Sequence, residues 1–220
     1  MKYIEKNDIK LPYQIEIKAI KHTYFKVRKD HIHISTSKYT SHKVIINYLM
    51  LHFDRLSQKL HQVSQALTDQ TIMLWGKSYH IIIHKGKFTY TLDQDQVHVW
   101  YPSDDLEAIR KMIYLKEMQT ILPSVEKEIY PVIATDGLTI KPVRIKYLRS
   151  KFGSYHRKKD EITINAFLAS LPIELLKYVM YHEYAHILVF NHSQSFYNQL
   201  AKWLPNHKRY QKTLKNIAIY

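Results

Sequence analysis

The stretch YHEYAHILVFNHSQSF, residues 181–196, carries three histidines and a glutamate in a chemically meaningful spacing. His182 and His186 are four residues apart, so on a helix their imidazoles share one face and can both offer a nitrogen to one metal ion. Glu183 follows the first histidine, where its carboxylate can act as general base and take a proton from a metal-bound water. His192 can supply a third protein ligand. The spacing predicts a catalytic site that holds one Zn²⁺ per chain.

This interpretation has one alternative and one structural requirement. The chain contains 14 histidines, so the alternative is a helix whose histidines face solvent or bond to backbone groups. For His192 to reach the metal, the helix must end and the chain must turn back. Asn191 tolerates the left-handed conformation of a helix C-terminus and is the predicted turning point.

The composition narrows the class of protein. The 220 residues suffice for one large domain or two small ones. The absence of cysteine excludes disulfides and thiolate ligands, so a metal needs His, Asp or Glu. A net charge of +14 favours an anionic partner, although a genome rich in A and T would also accumulate lysine. The N-terminus has no apolar signal region, and the run 44–51 is too short to span a bilayer, so we expect a cytoplasmic protein with no membrane partner.

The pattern of apolar residues predicts an α+β protein with no internal repeat. A strand-rich N-terminal domain, residues 1–102, is expected to contain one amphipathic helix at about 41–63. A second domain, residues 103–220, is expected to be mainly helical and carries the histidine motif.

Several local signals place elements in this second domain. Ser103 is a predicted N-cap, and Pro123 and Pro131 are predicted to break or kink the helix that follows. Residues 140–148 and 161–165 are predicted strands. Pro172 marks the start of the helix that carries the histidines, and a further helix is expected at about 193–204.

The second half resembles the YgjP-like metallopeptidase family, which is related to the SprT-like and WLM proteins. The family pattern reads R-W-G-S-C, a strand ending in L-N, a proline before the helix, H-E-L-A-H, N-H-S and F-W. The matching residues here are Lys151-Phe152-Gly153-Ser154-Tyr155, Ile164-Asn165, Pro172, His182-Glu183-Tyr184-Ala185-His186, Asn191-His192-Ser193 and Phe196-Tyr197. The resemblance implies a zincin fold, zinc ligands at the three histidines and Glu183 as the catalytic residue. Tyr155 replaces the family cysteine, which removes any role that needs a thiol.

Other residues are candidates for surrounding roles. Strand 161–165 is the candidate sheet edge for pairing with an extended substrate, with an ordinary strand inside the sheet as the alternative. Tyr155 or His156 could donate a hydrogen bond to a developing oxyanion, with a plain surface loop as the alternative. Asn165 could support the metal helix, with turn stabilisation as the alternative. Arg149 and Lys151 belong to a basic, aromatic-containing segment that could bind phosphate or nucleic acid, or could simply be solvated.

Three functions therefore remain open from the sequence. The leading hypothesis is a zinc-dependent metallopeptidase with a peptide substrate. The first alternative is a metal-dependent hydrolase of a nucleotide or another phosphate-bearing substrate. The second is a nucleic-acid-binding module with structural zinc. Neither the oligomeric state nor the physiological substrate follows from the sequence.

Overall fold

The chain divides into two compact units, residues 1–69 and residues 70–219. The computed structural model describes residues 1–28, 30–68, 70–148, 150–217 and 219. The boundary between the two units follows residue 69, whereas the sequence predicted it after residue 102. The reason is that the strands between residues 71 and 101 contribute apolar side chains, such as Ile81 and Val99, to the core that also contains the metal-binding helix candidate.

The first unit is a four-stranded sheet followed by two helices. Its strands are β1 (Lys2–Lys6), β2 (Ile9–Ile17), β3 (Tyr24–Val27) and β4 (Ile32–Thr36), in the order β1-β2-β4-β3. Helices α1 (His42–Leu51) and α2 (Phe53–Thr68) replace the single predicted helix, with the division at His52. Alternating strand residues, including Leu11, Tyr13, Ile32 and Ile34, pack with Leu49 in a separate core.

The second unit begins with a sheet of the same topology. Strands β5 (Thr71–Leu74), β6 (Lys77–Lys85), β7 (Thr89–Asp93) and β8 (Gln96–Tyr101) lie in the order β5-β6-β8-β7. In both sheets the two central strands are parallel and each outer strand is antiparallel to its neighbour. The structure thus contains a repeated arrangement that the sequence analysis did not find, because the repeat lies in strand pairing rather than in residue identity.

A long helix, α3 (Leu106–Ala134), follows the second sheet. Its N-cap is Asp105, whose carboxylate accepts hydrogen bonds from two backbone N–H groups, and not the predicted Ser103. Pro123 and Pro131 lie inside the helix and do not break it. Each proline removes only one backbone hydrogen bond, while the buried stripe continues through both positions. Its members are Ile109, Ile113, Met118, Leu122, Val125, Ile129 and Ile133.

A three-stranded sheet leads into the metal-binding helix candidate. Its strands are β9 (Val143–Lys146), β10 (Gly153–His156) and β11 (Glu161–Asn165), in the order β10-β11-β9. Strand β11 is central, so the prediction that it forms the sheet edge is wrong. The short strand β10, which the sequence analysis treated as a connection, occupies that edge and runs antiparallel to β11.

The remaining chain is helical. A 3-10 helix (Ala166–Ser170) precedes α4 (Ile173–Leu188), α5 (Gln194–Trp203) and α6 (His207–Asn216). The fold is α+β, as predicted. Within the described ranges, none of the helices combines the length and apolar character that a bilayer crossing requires.

Candidate metal centre

Helix α4 holds the first two histidines through its buried face. Leu176, Met180 and Ala185 are fully buried and fix the helix in the core. His182 and His186 lie one turn apart, with ring centroids 4.9 Å from each other. The four-residue spacing therefore brings the two imidazoles together, as the sequence predicted.

The third histidine reaches the pair from the connection between α4 and α5. Helix α4 ends at Leu188, and Val189 adopts an extended conformation. Asn191 does not take the left-handed conformation predicted for it, because the extended Val189 already redirects the chain. The Nε2 atoms of His192 and His182 are 3.0 Å apart. One ligand atom from each of the three histidines lies within 4.8 Å of the others.

Phe196 supports all three rings and was not assigned a role from the sequence. It is fully buried on α5, and its ring centroid lies 4.9, 4.7 and 4.8 Å from those of His182, His186 and His192. Its position one turn into an amphipathic helix, four residues after His192, was the available signal.

The three imidazoles fit a zinc ion. Burial, together with the charges of the other two histidines, lowers the pKa of His182 to about 3, so the imidazole remains neutral. The Nδ1 atoms of His182 and His186 are buried without a hydrogen-bond partner among the described residues. Zinc takes nitrogen ligands at about 2.0–2.1 Å, and its tetrahedral geometry brings ligand nitrogens to within about 3.5 Å of each other. The close approach of the His192 and His182 nitrogens suits such an ion.

Glu183 lies beside the histidines in a tightly enclosed position. It is 4% exposed, and a Cβ atom built on Gly153 would lie 2.7 Å from its Oε1 atom. The backbone N–H of Tyr155 donates a hydrogen bond to its carboxylate. Burial raises the pKa of Glu183 to about 7 in the metal-free chain, opposed by that hydrogen bond and by the charge of Lys151. A carboxyl group with a pKa near neutrality can both accept and return a proton.

Strand β10 presents backbone groups to the open edge of its sheet. The N–H of Asn165 donates to the carbonyl of Phe152, which fixes the alternation of the antiparallel ladder. Ser154 and His156 therefore bond to β11, while the N–H and C=O groups of Gly153 and Tyr155 point away from it. The bond from the Tyr155 N–H to Glu183 agrees with this alternation.

Asn165 is fully buried and anchors the segment before β10. Its side-chain oxygen accepts from the N–H groups of Leu148 and Phe167, and its amide donates to the carbonyls of Leu148 and Lys151. These four bonds use the full capacity of the amide. None of the partners is on α4: Leu148 and Lys151 belong to the connection that leads into β10, and Phe167 belongs to the 3-10 helix after β11.

The other candidates from the sequence lie in different environments. The Tyr155 hydroxyl donates to Asp160 at 2.8 Å, and burial and this hydrogen bond raise its pKa. His156 is exposed, and its Nδ1 accepts from the N–H of Lys159 in the adjacent turn. Lys151 lies in the wall of the cavity at the histidines. Arg149 lies outside the described residues.

The histidines and Glu183 face a cavity of about 550 Å³. Its walls include Tyr178 of α4, Phe190 of the following connection, and Leu214 and Lys215 of α6. Sequence reasoning missed α6 completely, because its weakly apolar sequence gives no signal until the helix packs against the site.

The comparisons with known proteins identify a family. The sequence model described as "YgjP-like, metallopeptidase domain" matches residues 21–217. No curated protein matches the sequence significantly.

Two solved structures are similar to this chain at 22% identity. The metallopeptidase zymogen of Pyrococcus abyssi abylysin aligns over 42% of this chain and 90% of its own, with a TM-score of 0.38. The metallopeptidase zymogen of Methanocaldococcus jannaschii jannalysin aligns over 40% and 92%, with a TM-score of 0.35. The match to the family covers most of the chain and confirms the predicted class of enzyme, a metallopeptidase-like hydrolase. The chain belongs to the YgjP-like metallopeptidase family.

Proposed function

We propose that the protein is a zinc-dependent peptidase with one Zn²⁺ per chain, held by His182, His186 and His192. The observation that carries this proposal is the convergence of three ring nitrogens within 4.8 Å, beside a buried glutamate and at the wall of a cavity. When bound, zinc supplies a Lewis acid that activates water and polarises a carbonyl group.

Glu183 acts as the general base. Its carboxylate takes a proton from the attacking water and returns it to the nitrogen of the departing amine, so that the peptide bond is hydrolysed without net proton uptake. The N–H of Tyr155 and the close approach of Gly153 hold the carboxylate in one position. Asn165 supports this function by fixing the segment that leads into β10.

An extended peptide can pair with the edge of β10. The carbonyl groups of Gly153 and Tyr155 and the N–H of Gly153 point to that edge, next to Glu183. Backbone pairing of this kind provides affinity with little dependence on sequence. We therefore transfer the predicted substrate edge from β11 to β10.

The test compares wild-type protein with Glu183→Gln on peptide and nucleotide substrates. We expect about one zinc per chain in both proteins, hydrolysis of an unfolded polypeptide by the wild type, and a loss of turnover of about 10³-fold or more in the variant. Undiminished turnover by Glu183→Gln would refute the role of the glutamate. Phosphate release from nucleotides without peptide cleavage would instead select the phosphoanhydride hydrolase considered from the sequence.

A further inference from the structure

The positive charge of the protein is concentrated in the part of the chain that builds the cavity. Residues 141–220 contain 14 Lys and Arg but only 4 Asp and Glu, whereas residues 70–140 contain 7 and 9. The excess of positively over negatively charged residues is therefore unevenly distributed along the chain. It accompanies the three-stranded sheet, the histidine helix and the two helices after it.

Two lysines bring this charge to the cavity wall from two different segments of the chain. Lys151 precedes β10, and Lys215 is in the last turn of α6. Glu183 is the one carboxylate among the described residues that line the cavity. Neither lysine forms an ion pair within the described parts of the chain.

The backbone positions of both lysines are fixed by buried neighbours. The carbonyl of Lys151 accepts a hydrogen bond from the fully buried Asn165. Lys215 follows Leu214, which is 7% exposed and packs in the main core. The charge of Lys151 already acts on Glu183, so it lies within electrostatic range of the reacting groups.

The rest of the wall is apolar and aromatic. Phe152, Val179 and Leu214 contribute to it, and Phe190 is 70% exposed at the cavity. A ligand that suits this surface combines an apolar part with carboxylates that can reach the two lysines. A cavity lined by one sign of charge also concentrates ligands of the opposite sign.

We propose that the preferred substrate is an acidic polypeptide segment, in which carboxylates flanking the cleaved bond bind Lys151 and Lys215. This inference rests on the proposed peptidase function and specifies its substrate class. The two lysines are specificity-determining residues rather than catalytic ones. A nucleic acid could use the same charges, but the cations lie at the catalytic cavity of a metallopeptidase, which favours the peptide.

The experiment uses the full-length zinc-loaded protein and three fluorogenic peptides with one apolar centre. The residues on both sides of that centre are all Glu, all Gln or all Lys. We expect kcat/KM to fall in the order Glu, Gln, Lys, with the Glu peptide favoured over the Gln peptide by about tenfold at low salt. The ratio should shrink towards unity as salt is raised to about 0.5 M, because mobile ions screen exposed charges.

Charge reversal assigns the preference to particular residues. Lys215→Glu should lower the Glu-to-Gln ratio at least threefold and raise the relative rate for the Lys peptide, and Lys151→Glu should do the same. Lys212→Glu makes the same change of charge on the same helix, but Lys212 does not line the cavity. The Glu-to-Gln ratio of the Lys212→Glu variant should stay within twofold of the wild-type ratio. Using ratios removes any effect of Lys151 on Glu183 itself, and thermal melting confirms that each variant is folded.

The possible failures are distinguishable. Equal cleavage of the three peptides, with turnover still dependent on Glu183, would overturn the substrate inference and leave the peptidase function intact. Absence of cleavage of every peptide and of unfolded protein would overturn the peptidase function and this inference with it. Equal cleavage combined with salt-sensitive binding of a labelled single-stranded oligonucleotide, weakened by Lys215→Glu, would assign the lysines to nucleic acid instead.

Discussion

Replacing Gly153 by alanine tests whether strand β10 sets the position of the Glu183 carboxylate, the proposed general base. The added Cβ would lie 2.7 Å from Oε1 of Glu183 and 2.8 Å from Cγ1 of Val179. Ordinary contact distances are about 3.5 Å, so the carboxylate or the strand must move by roughly 0.8 Å. The φ angle of Gly153 is outside the left-handed region, so the substitution tests the close approach alone.

The size of the effect follows from this displacement. Overpacking of this kind costs about 1–3 kcal/mol of unfolding free energy. Because a displacement of about 1 Å in an active site can cost 10²-fold, we expect kcat to fall by about that factor. Zinc content should remain near one per chain, because the contacts of the added methyl group are with Glu183 and Val179 and not with the histidines.

Urea denaturation, elemental analysis and peptide hydrolysis measure these three quantities on the same preparation. Gly137→Ala is the matched control. Its Cβ meets nothing within 4 Å, but its φ of +75° makes alanine strained, at a cost of about 1 kcal/mol. It should lose comparable stability and keep its kcat. If Gly153→Ala retained more than half of the wild-type kcat, the argument that β10 positions Glu183 would be refuted.

Three further predictions concern His192, Tyr155 and Asp136. His192→Ala should reduce bound zinc well below one per chain by elemental analysis, whereas His156→Ala, at the exposed end of β10, should leave it unchanged. Equal zinc in both variants would contradict the ligand set. Tyr155→Phe should change kcat/KM by less than about threefold. The lost hydroxyl is hydrogen-bonded to Asp160, and the substitution keeps the backbone N–H that holds Glu183. A loss near 10²-fold would instead support the hydroxyl as an oxyanion donor. The pKa of Asp136 is lowered from 3.8, chiefly by Lys202, so its stabilising contribution is present above that value and lost as pH falls through the folded-state pKa. Between about pH 5 and pH 3 the Tm of the wild type should therefore fall more than that of Asp136→Asn, and parallel curves would show that this carboxylate contributes nothing.

The part of the site that could be predicted from sequence is the part built by local geometry. On a helix, the four-residue spacing of His182 and His186 places both imidazoles on one face, and the structure shows the two rings next to each other. The amphipathic helix that carries Phe196 and the start of α4 at Pro172 were also predictable, since caps and helical periodicity are short-range signals.

The errors concern contacts between segments far apart in sequence. Whether β11 is central or at an edge depends on which strands pair with it, and β10 has too few apolar residues to be recognised as a strand. Residues 71–101 were grouped with the N-terminal strands because strands dominate the chain up to residue 102 and helices follow it, while their buried faces share a core with α3. Pro131 failed as a helix breaker because the packed stripe around it outweighs one lost hydrogen bond.

The repeated sheet topology shows how one arrangement of strands takes on different tasks. The first hairpin of each unit turns through two residues with left-handed φ, Asn7 and Asp8 in one and Trp75 and Gly76 in the other. In the second unit the Trp75 N–H donates to the carbonyl of Ala169 in the 3-10 helix, and a Cβ on Gly76 would lie 3.0 Å from Cγ of Pro172, the N-cap of α4. This turn therefore packs against the N-cap residue of the helix that presents the histidines. The corresponding turn of the first unit, Asn7 and Asp8, consists of exposed polar residues. The same backbone geometry therefore serves as a plain hairpin turn in the first unit and supports the metal-binding helix candidate in the second.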